Sequence, residues 1–239
     1  MSDDAGDAQV GDPPRGNSLL SDGLNEAQRE GVEPPTFDAG LRSHLRDELE
    51  GALGGVAEKF SIDGPLVMFK HRLAGVFGCE ASFLAEDEQP FVYNTHIARG
   101  AVAHKAIELG INWKSPDPAP AELVDRALDS LTEGDSYLAS WLYQCSDVER
   151  AELRSLAVSS VAAFFDCWPP LKPQWHPVTE SSSRVKLCGG RIVLTGKTDL
   201  TLGRSQGGTA RKVIVDLKTG WRQPSAHRED LRFYALVET

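Results

Sequence analysis

The apolar period of this chain changes once, at Pro169–Pro170, and that change restricts it to folds in which a helical part precedes a small sheet. Before the prolines, Leu41, Leu45, Leu49 and Leu53 recur every four residues, the spacing of one helix face. Gly54–Gly55 is expected to weaken or end that helix. Pro65 predicts the start of a second helix running through Phe77. A third is expected over 95–109, with Gly110 at the C-terminal position where a left-handed residue closes a helix. A proline-rich loop over 114–120 leads to a fourth, 121–131, which carries Leu123, Val124, Ala127, Leu128 and Leu131 at helical spacing. A short helix over 137–143 follows. Ser146–Asp147–Val148–Glu149 has the pattern of a capping box and should open a long helix that the prolines stop near Cys167.

Beyond the prolines, 178–180, 185–187, 191–195, 198–202 and 212–217 are short runs rich in β-branched residues. Cys188–Gly189–Gly190 and Ser205–Gln206–Gly207–Gly208 read as hairpin loops, and 225–237 as a last helix. Helices, then hairpin strands, then a helix predict an α/β (α+β) domain: a small mixed sheet flanked by helices, with a helical N-terminal part. Residues 1–36 are rich in Asp, Gly and Pro and poor in large apolar side chains, so they are expected to form a disordered acidic tail ahead of a domain over 37–239.

The formal net charge is −10, which at first sight argues against a nucleic-acid partner. Its distribution says otherwise. Residues 1–40 hold nine acids against Arg15 and Arg29, giving −7, so the remaining chain carries only −3. From Arg184 to Thr239 eleven Lys and Arg face five acids, giving +6. One use for such a split is an acidic tail that mimics DNA in a basic cleft, although charged tails are usually only solvated. The four cysteines, Cys79, Cys145, Cys167 and Cys188, form no CxxC pair, so reduced and mostly buried thiols are expected rather than a zinc site. No apolar run is long enough to span a bilayer and the acidic N-terminus lacks a signal-type apolar stretch, so the expected location is cytoplasmic, with no membrane partner.

Two strand ends carry the chemistry. Asp199 closes Gly196–Lys197–Thr198–Asp199, and Asp216 closes Val213–Ile214–Val215–Asp216 before Leu217–Lys218–Thr219–Gly220. Strand alternation would put Asp216 and Lys218 on one face and turn Leu217 into packing. If the two strands pair, their carboxylates can converge on one hard cation such as Mg2+, which favours oxygen ligands and bridges to phosphate. An Asp-x-Lys alone is also an ordinary exposed alternation, and a strand-end Asp an ordinary turn former.

With Arg99–Gly100–Ala101–Val102–Ala103–His104 on the third helix and Arg228–Glu229–Asp230–Leu231–Arg232–Phe233–Tyr234 on the last, the order of motifs resembles that of the PD-(D/E)XK nucleases, in particular their RecB-like exonuclease branch, over about residues 61–239. The resemblance implies a restriction-endonuclease-like core and a nuclease that hydrolyses phosphodiester bonds in DNA. Mg2+ would be its cofactor, with Mn2+ as a substitute, and it would act in DNA repair or recombination beside a helicase or other repair protein. It also implies that Asp199 and Asp216 bind the metal, that the Leu217 carbonyl is a backbone ligand, that Lys218 is the catalytic lysine and that His104 is a further catalytic contact to metal or phosphate. Gly100, Ala101 and Ala103 would form a thin helix face against the sheet. Glu180 falls where relatives carry an acid on the first core strand, and reads equally as a solvated edge charge. Tyr234 matches the family tyrosine, and reads equally as a packing aromatic. Two departures stand out. Asp230, after His227, lies where relatives carry Gln. Cys79 lies where cluster-bearing relatives have an early cysteine, but no later trio follows, so no iron–sulfur cluster is expected, Cys79 is expected to be buried, and the domain is expected to lack its C-terminal end. These departures support an alternative: a catalytically inactive nuclease-fold module that binds DNA or acts as a scaffold.

Overall fold

The computed structural model describes residues 38–89, 91–114, 118–168, 170–206, 209–220 and 227–238, so the expected acidic tail lies outside the described residues. The first part comprises α1 (Leu41–Ala57), β1 (Leu66–Met68), α2 (Lys70–Gly78) and α3 (Glu80–Asp87). A helical block follows: α4 (Thr95–Ile111), α5 (Pro120–Thr132), α6 (Tyr137–Gln144) and α7 (Asp147–Cys167). Then come β2 (Val178–Leu187), β3 (Ile192–Gln206), β4 (Thr209–Val215) and α8 (Arg228–Glu238). The expected mixed α/β architecture, a small mixed sheet with flanking helices, is what the chain adopts.

β3 is the spine of the sheet. β2 pairs antiparallel along one edge, from Leu187 opposite Ile192 to Val178 opposite Thr201. Two strands share the other edge: β1, parallel, against Ile192–Leu194, and β4, antiparallel, against Leu200–Gln206. Residues 195–199 lie between them.

Local chemistry sets the helix starts. The Ser146 side chain accepts from the Glu149 N–H while the Glu149 carboxylate accepts from the Ser146 N–H, completing the capping box of α7. Asn94 caps α4 and Ser136 caps α6 in the same way, each side chain accepting a backbone N–H three residues on. Pro120 occupies the first turn of α5, where its missing N–H costs nothing. The apolar stripes of α4, α5, α6 and α7 then form one cluster that includes Val102, Ala106, Leu123, Leu142, Leu153 and Val161. α8 covers the sheet with Phe233, Tyr234 and Val237, against Val185, Leu194 and Ile214. α1 closes the β2–β3 turn by setting Leu53 and Ala57 on Leu187 and Ile192.

Several sequence expectations need correction. The segment after Pro65 is a strand before it is a helix, because the free edge of β3 offers Leu66–Met68 parallel partners, and α2 starts only at Lys70. α1 runs through Gly54–Gly55 to Ala57, whose burial on the β2–β3 turn holds the last turn helical. Gly110 does not cap α4 but lies within it, where an added Cβ would come within 2.5 Å of Phe165 Cζ and 2.9 Å of Leu123 Cδ1, so it is a site of close packing. The paired short runs on either side of Ser181 and Gly196 merge into single strands, β2 and β3. The cysteines are free, but they are not mostly buried: Cys145 and Cys188 are half-buried, and Cys79 and Cys167 are exposed. Cys79 is the extended joint between α2 and α3 (φ −166°, ψ 110°), which turns its side chain outward. Among the described residues no helix is long and apolar enough to cross a membrane.

At the end of α8, Glu238 accepts from Ser183 of β2 and pairs with Lys212 of β4, so one carboxylate ties the helix to two strands. Burial pushes this carboxyl upward, but Lys212 and Ser183 prevail and hold it below its ordinary value of 4.5. A depressed folded pKa stabilises above the unfolded value, and that contribution is lost as pH falls through the folded pKa. Glu238→Gln is therefore expected to cost about 1–2 kcal/mol at neutral pH, the size of a lost charge-assisted bond. Thermal melts between pH 7 and pH 3 should show the variant and wild type converging below about pH 4.

Candidate metal centre and lysine ring

The site forms at the interrupted edge of β3. β1 runs parallel to β3 and leaves the sheet just past Met68, opposite Leu194. β4 runs the other way and leaves just past Val215, opposite Leu200. The two exits therefore run toward each other across 195–199 and deliver Lys70 and Asp216 to one place, with Lys70 Nζ 3.1 Å from Asp216 Oδ1. Asp199 lies at the same step of the ladder, and its Oδ2 accepts from the Leu217 N–H at 2.6 Å.

His104, Glu180 and Asp199 each present one ligand atom, and these atoms lie within 4.8 Å of one another. His104 Nδ1 stands 3.3 Å from Asp199 Oδ1. Burial pushes the Asp199 carboxyl upward, but His104 and the Leu217 N–H outweigh it and hold the group below the usual carboxylate range. Burial pushes His104 downward, and Asp199, then Glu180 and Asp216, carry it above its ordinary value instead. Glu180 has a left-handed backbone, φ 54°, inside a strand. The β2–β3 ladder passes from Thr179 opposite Leu200 to Ser181 opposite Thr198 and skips the Glu180–Asp199 step. Such a conformation costs about 1–3 kcal/mol in a non-glycine residue and is typical of functional sites. Glu180 also pairs with Lys197.

Asp216 is the more enclosed carboxylate, its side chain only 5% exposed. Lys218 Nζ lies 2.6 Å from Asp216 Oδ2 and 3.0 Å from Asp230 Oδ2. Lys70 Nζ lies 3.2 Å from the same Asp230 oxygen and 4.7 Å above the Tyr234 ring. Lys70, Asp216, Lys218 and Asp230 thus close a ring of alternating charge. Burial works against the charge on Lys70, but Tyr234 and Asp216 overcome it and raise its pKa. Asp230 is pushed upward by burial and drawn below its ordinary value by Lys218 and Lys70. Gly196 admits Tyr234: an added Cβ would come within 3.2 Å of the ring. A cleft of about 1120 Å³ between α2 and α8 opens on this ring, with Lys70, Phe77, Lys218, Asp230, Arg232 and Phe233 among its walls.

The residues singled out in the sequence therefore meet, in an arrangement different from the expected one. His104 and Asp199 converge with Glu180. Asp216 does not join their ligand atoms in the tight triple and turns toward the two lysines. Lys218 pairs with Asp216 although both lie beyond the end of β4. Leu217 packs against the helical cluster, as expected, and its N–H orients Asp199. A Cβ added at Gly100 would meet the Thr219 hydroxyl at 3.4 Å, and Arg99 donates to the Thr219 carbonyl at 2.6 Å, so this part of the helix braces the Asp216–Gly220 segment. Sequence reasoning missed Lys70, which reads as a charge interrupting an apolar run. Only recognition of the three-residue strand before it would have pointed to its place.

The carboxylate oxygens are hard donors suited to Mg2+ or Mn2+, and the one imidazole is a borderline donor beside them. The buried Asp216 Oδ2, which accepts no hydrogen bond of good geometry and is ion-paired with Lys218, lies beside this set. The strain at Glu180 gives a test that separates ligand from structural role. Glu180→Gly relieves a left-handed backbone and is expected to leave the melting temperature equal or higher. Mn2+ affinity by calorimetry should fall about tenfold or more, and unchanged affinity would remove Glu180 from the ligand set.

None of the curated proteins and no solved structure matches the chain. A family model, that of the PD-(D/E)XK nuclease superfamily, matches residues 69–237, a span that takes in Lys70, His104, Glu180, Asp199, Asp216, Lys218 and Asp230. With that match over most of its length and this geometry inside it, the chain belongs to the PD-(D/E)XK nuclease superfamily.

Proposed function

We propose that the protein is a Mg2+-dependent deoxyribonuclease of RecB-like exonuclease type, with Mn2+ as an alternative ion, that hydrolyses phosphodiester bonds in DNA during repair or recombination. The observation that carries this reading is the convergence of His104, Glu180 and Asp199 within 4.8 Å, beside the Asp216–Lys218 pair. His104, Glu180, Asp199 and Asp216 would hold the ion. A cation bound there polarises the phosphoryl group and lowers the pKa of water near it.

The chain's own groups supply the rest. The Leu217 N–H fixes the rotamer of Asp199, so its other oxygen is aimed before any ligand arrives. Lys218 Nζ is placed to donate to a non-bridging phosphate oxygen as negative charge grows on it. Its ammonium is held by the buried Asp216 carboxylate, so little reorganisation is needed at the moment of reaction. The walls of the cleft, from α2, α8 and the segment after β4, mix apolar side chains with Lys70, Lys218 and Arg232, a combination suited to bases and phosphates together. A cytoplasmic enzyme working beside a helicase or another repair protein fits the same reading.

Asp199→Asn and Lys218→Met are expected to lower Mg2+-dependent cleavage of end-labelled DNA at least 100-fold while leaving the fold intact by circular dichroism. Cleavage at the wild-type rate by both variants would sink the assignment. The second reading, an inactive DNA-binding or scaffolding module, is favoured by the engagement of Lys218 with Asp230. It predicts a wild-type protein that binds Mn2+ and DNA yet releases no nucleotide from either labelled end and makes no internal cut.

A further inference from the structure

Two ammonium groups converge on one oxygen in this site. Lys218 Nζ is 3.0 Å and Lys70 Nζ 3.2 Å from Asp230 Oδ2, and His227 Nδ1 stands 3.8 Å from it. Two ammonium groups from two parts of the chain, the start of α2 and the segment after β4, thus share a single acceptor. A point surrounded in this way is a site for one oxygen of a phosphate. Asp230 reaches it from the first turn of α8, and the Asp230 side chain is 21% exposed to the cleft, so the carboxylate can be displaced without disturbing the core. Lys70 is unlike a surface lysine. It is only 21% exposed, its ammonium is held by Asp216 at 3.1 Å, and it sits over the Tyr234 ring, so its position is fixed before substrate binds.

We infer that Lys70 is a second phosphate-binding lysine of this site, and that Asp230 occupies, in the free protein, the point between Lys70 and Lys218 that a backbone phosphate oxygen of DNA takes when it binds. This rests on the nuclease reading above and deepens it by giving Lys70 and Asp230 defined parts in DNA binding. DNA enters by exchanging its phosphate for the Asp230 carboxylate, and Asp230 then swings toward the solvent in the cleft. The exchange has a thermodynamic consequence. The lysines are already neutralised in the free protein, so Asp230 weakens DNA binding and sets a threshold that only a well-placed phosphate passes.

The experiment measures equilibrium binding of a fluorescein-labelled 20-nucleotide single strand, and of the corresponding duplex, by anisotropy in EDTA across a salt series. Cleavage by the same preparations is followed in Mg2+. Asp230→Asn keeps the shape and removes the competing charge, and is expected to tighten binding by about 3- to 10-fold. Lys70→Met keeps the aliphatic stem and is expected to weaken binding about 10-fold. It should also reduce the slope of log affinity against log salt by about 0.7–0.9, the contribution of one phosphate contact. In the double variant the gain from Asp230→Asn should shrink, because one of the two cations it frees is gone. A gain of affinity cannot arise from misfolding, so Asp230→Asn remains decisive even where Lys70→Met is unstable. Asp230→Asn binding no tighter than wild type, or Lys70→Met keeping the wild-type salt slope, overturns the inference while Mg2+-dependent cleavage by wild type leaves the nuclease reading standing. A wild-type protein that neither binds nor cleaves DNA overturns both.

Discussion

The site depends on one topological constraint: a single long strand, β3, serves two short partners on the same edge. β1 reaches it parallel and β4 antiparallel, so their chain directions oppose and each leaves the sheet toward the other. Backbone pairing fixes both registers, and the residues just past each strand end then have little freedom in where they fall. Lys70 and Asp216 are 146 positions apart in sequence, yet they meet because Met68 pairs with Leu194 and Val215 with Leu200. α8 and α4 complete the site from outside the sheet, with Tyr234 set on Gly196 and His104 set on Asp199. By strand alternation Gly196 and Asp199 point to opposite faces, so the interrupted edge is where the two layers reach each other.

Burying carboxylates in this way is costly unless they are paired. Asp216 meets the requirement with two lysines, and Asp199 with an imidazole and a backbone N–H. The pairing keeps the site compact, but it also engages the cations that would otherwise face the cleft. Asp230 adds a second carboxylate partner to each lysine. A glutamine at this point could offer a donor and an acceptor without neutralising the lysines, whereas the carboxylate neutralises them. That difference in charge changes the electrostatic state of the free site.

Much of this was legible in the chain. The helix block from Thr95 to Cys167 declared itself through its period and through the capping box at Ser146, whose hydrogen bonds are decided within a few residues. Asp199, Asp216, Lys218 and His104 were found from motif order, and Glu180 and Tyr234 were left open for want of a partner. The illegible parts are those set by long-range pairing. A three-residue strand such as Leu66–Met68 has no period of its own, so the place of Lys70 follows only from the edge it joins. Gly110 looked like a cap because glycine serves both caps and close packing, and only the approach of Phe165 and Leu123 decides between them. The exposure of Cys79 likewise follows from the direction of the joint between α2 and α3, which composition does not encode.

The ladder around Asp199 fails on both sides at once. On one side β2 skips the step at Glu180, where a left-handed backbone turns the chain; on the other, β1 has already left and β4 has not yet begun. Regular pairing at that step would be more stable, and would also direct Glu180 as an ordinary strand side chain rather than toward His104 and Asp199. On the β2 side the departure from regularity is confined to the Glu180–Asp199 step, with pairing resuming at Thr179–Leu200 and Ser181–Thr198. A sheet that relaxes its own pairing around its convergent carboxylates places the cost of strain at the site. Capping, core packing and strand pairing elsewhere supply the stability that permits it.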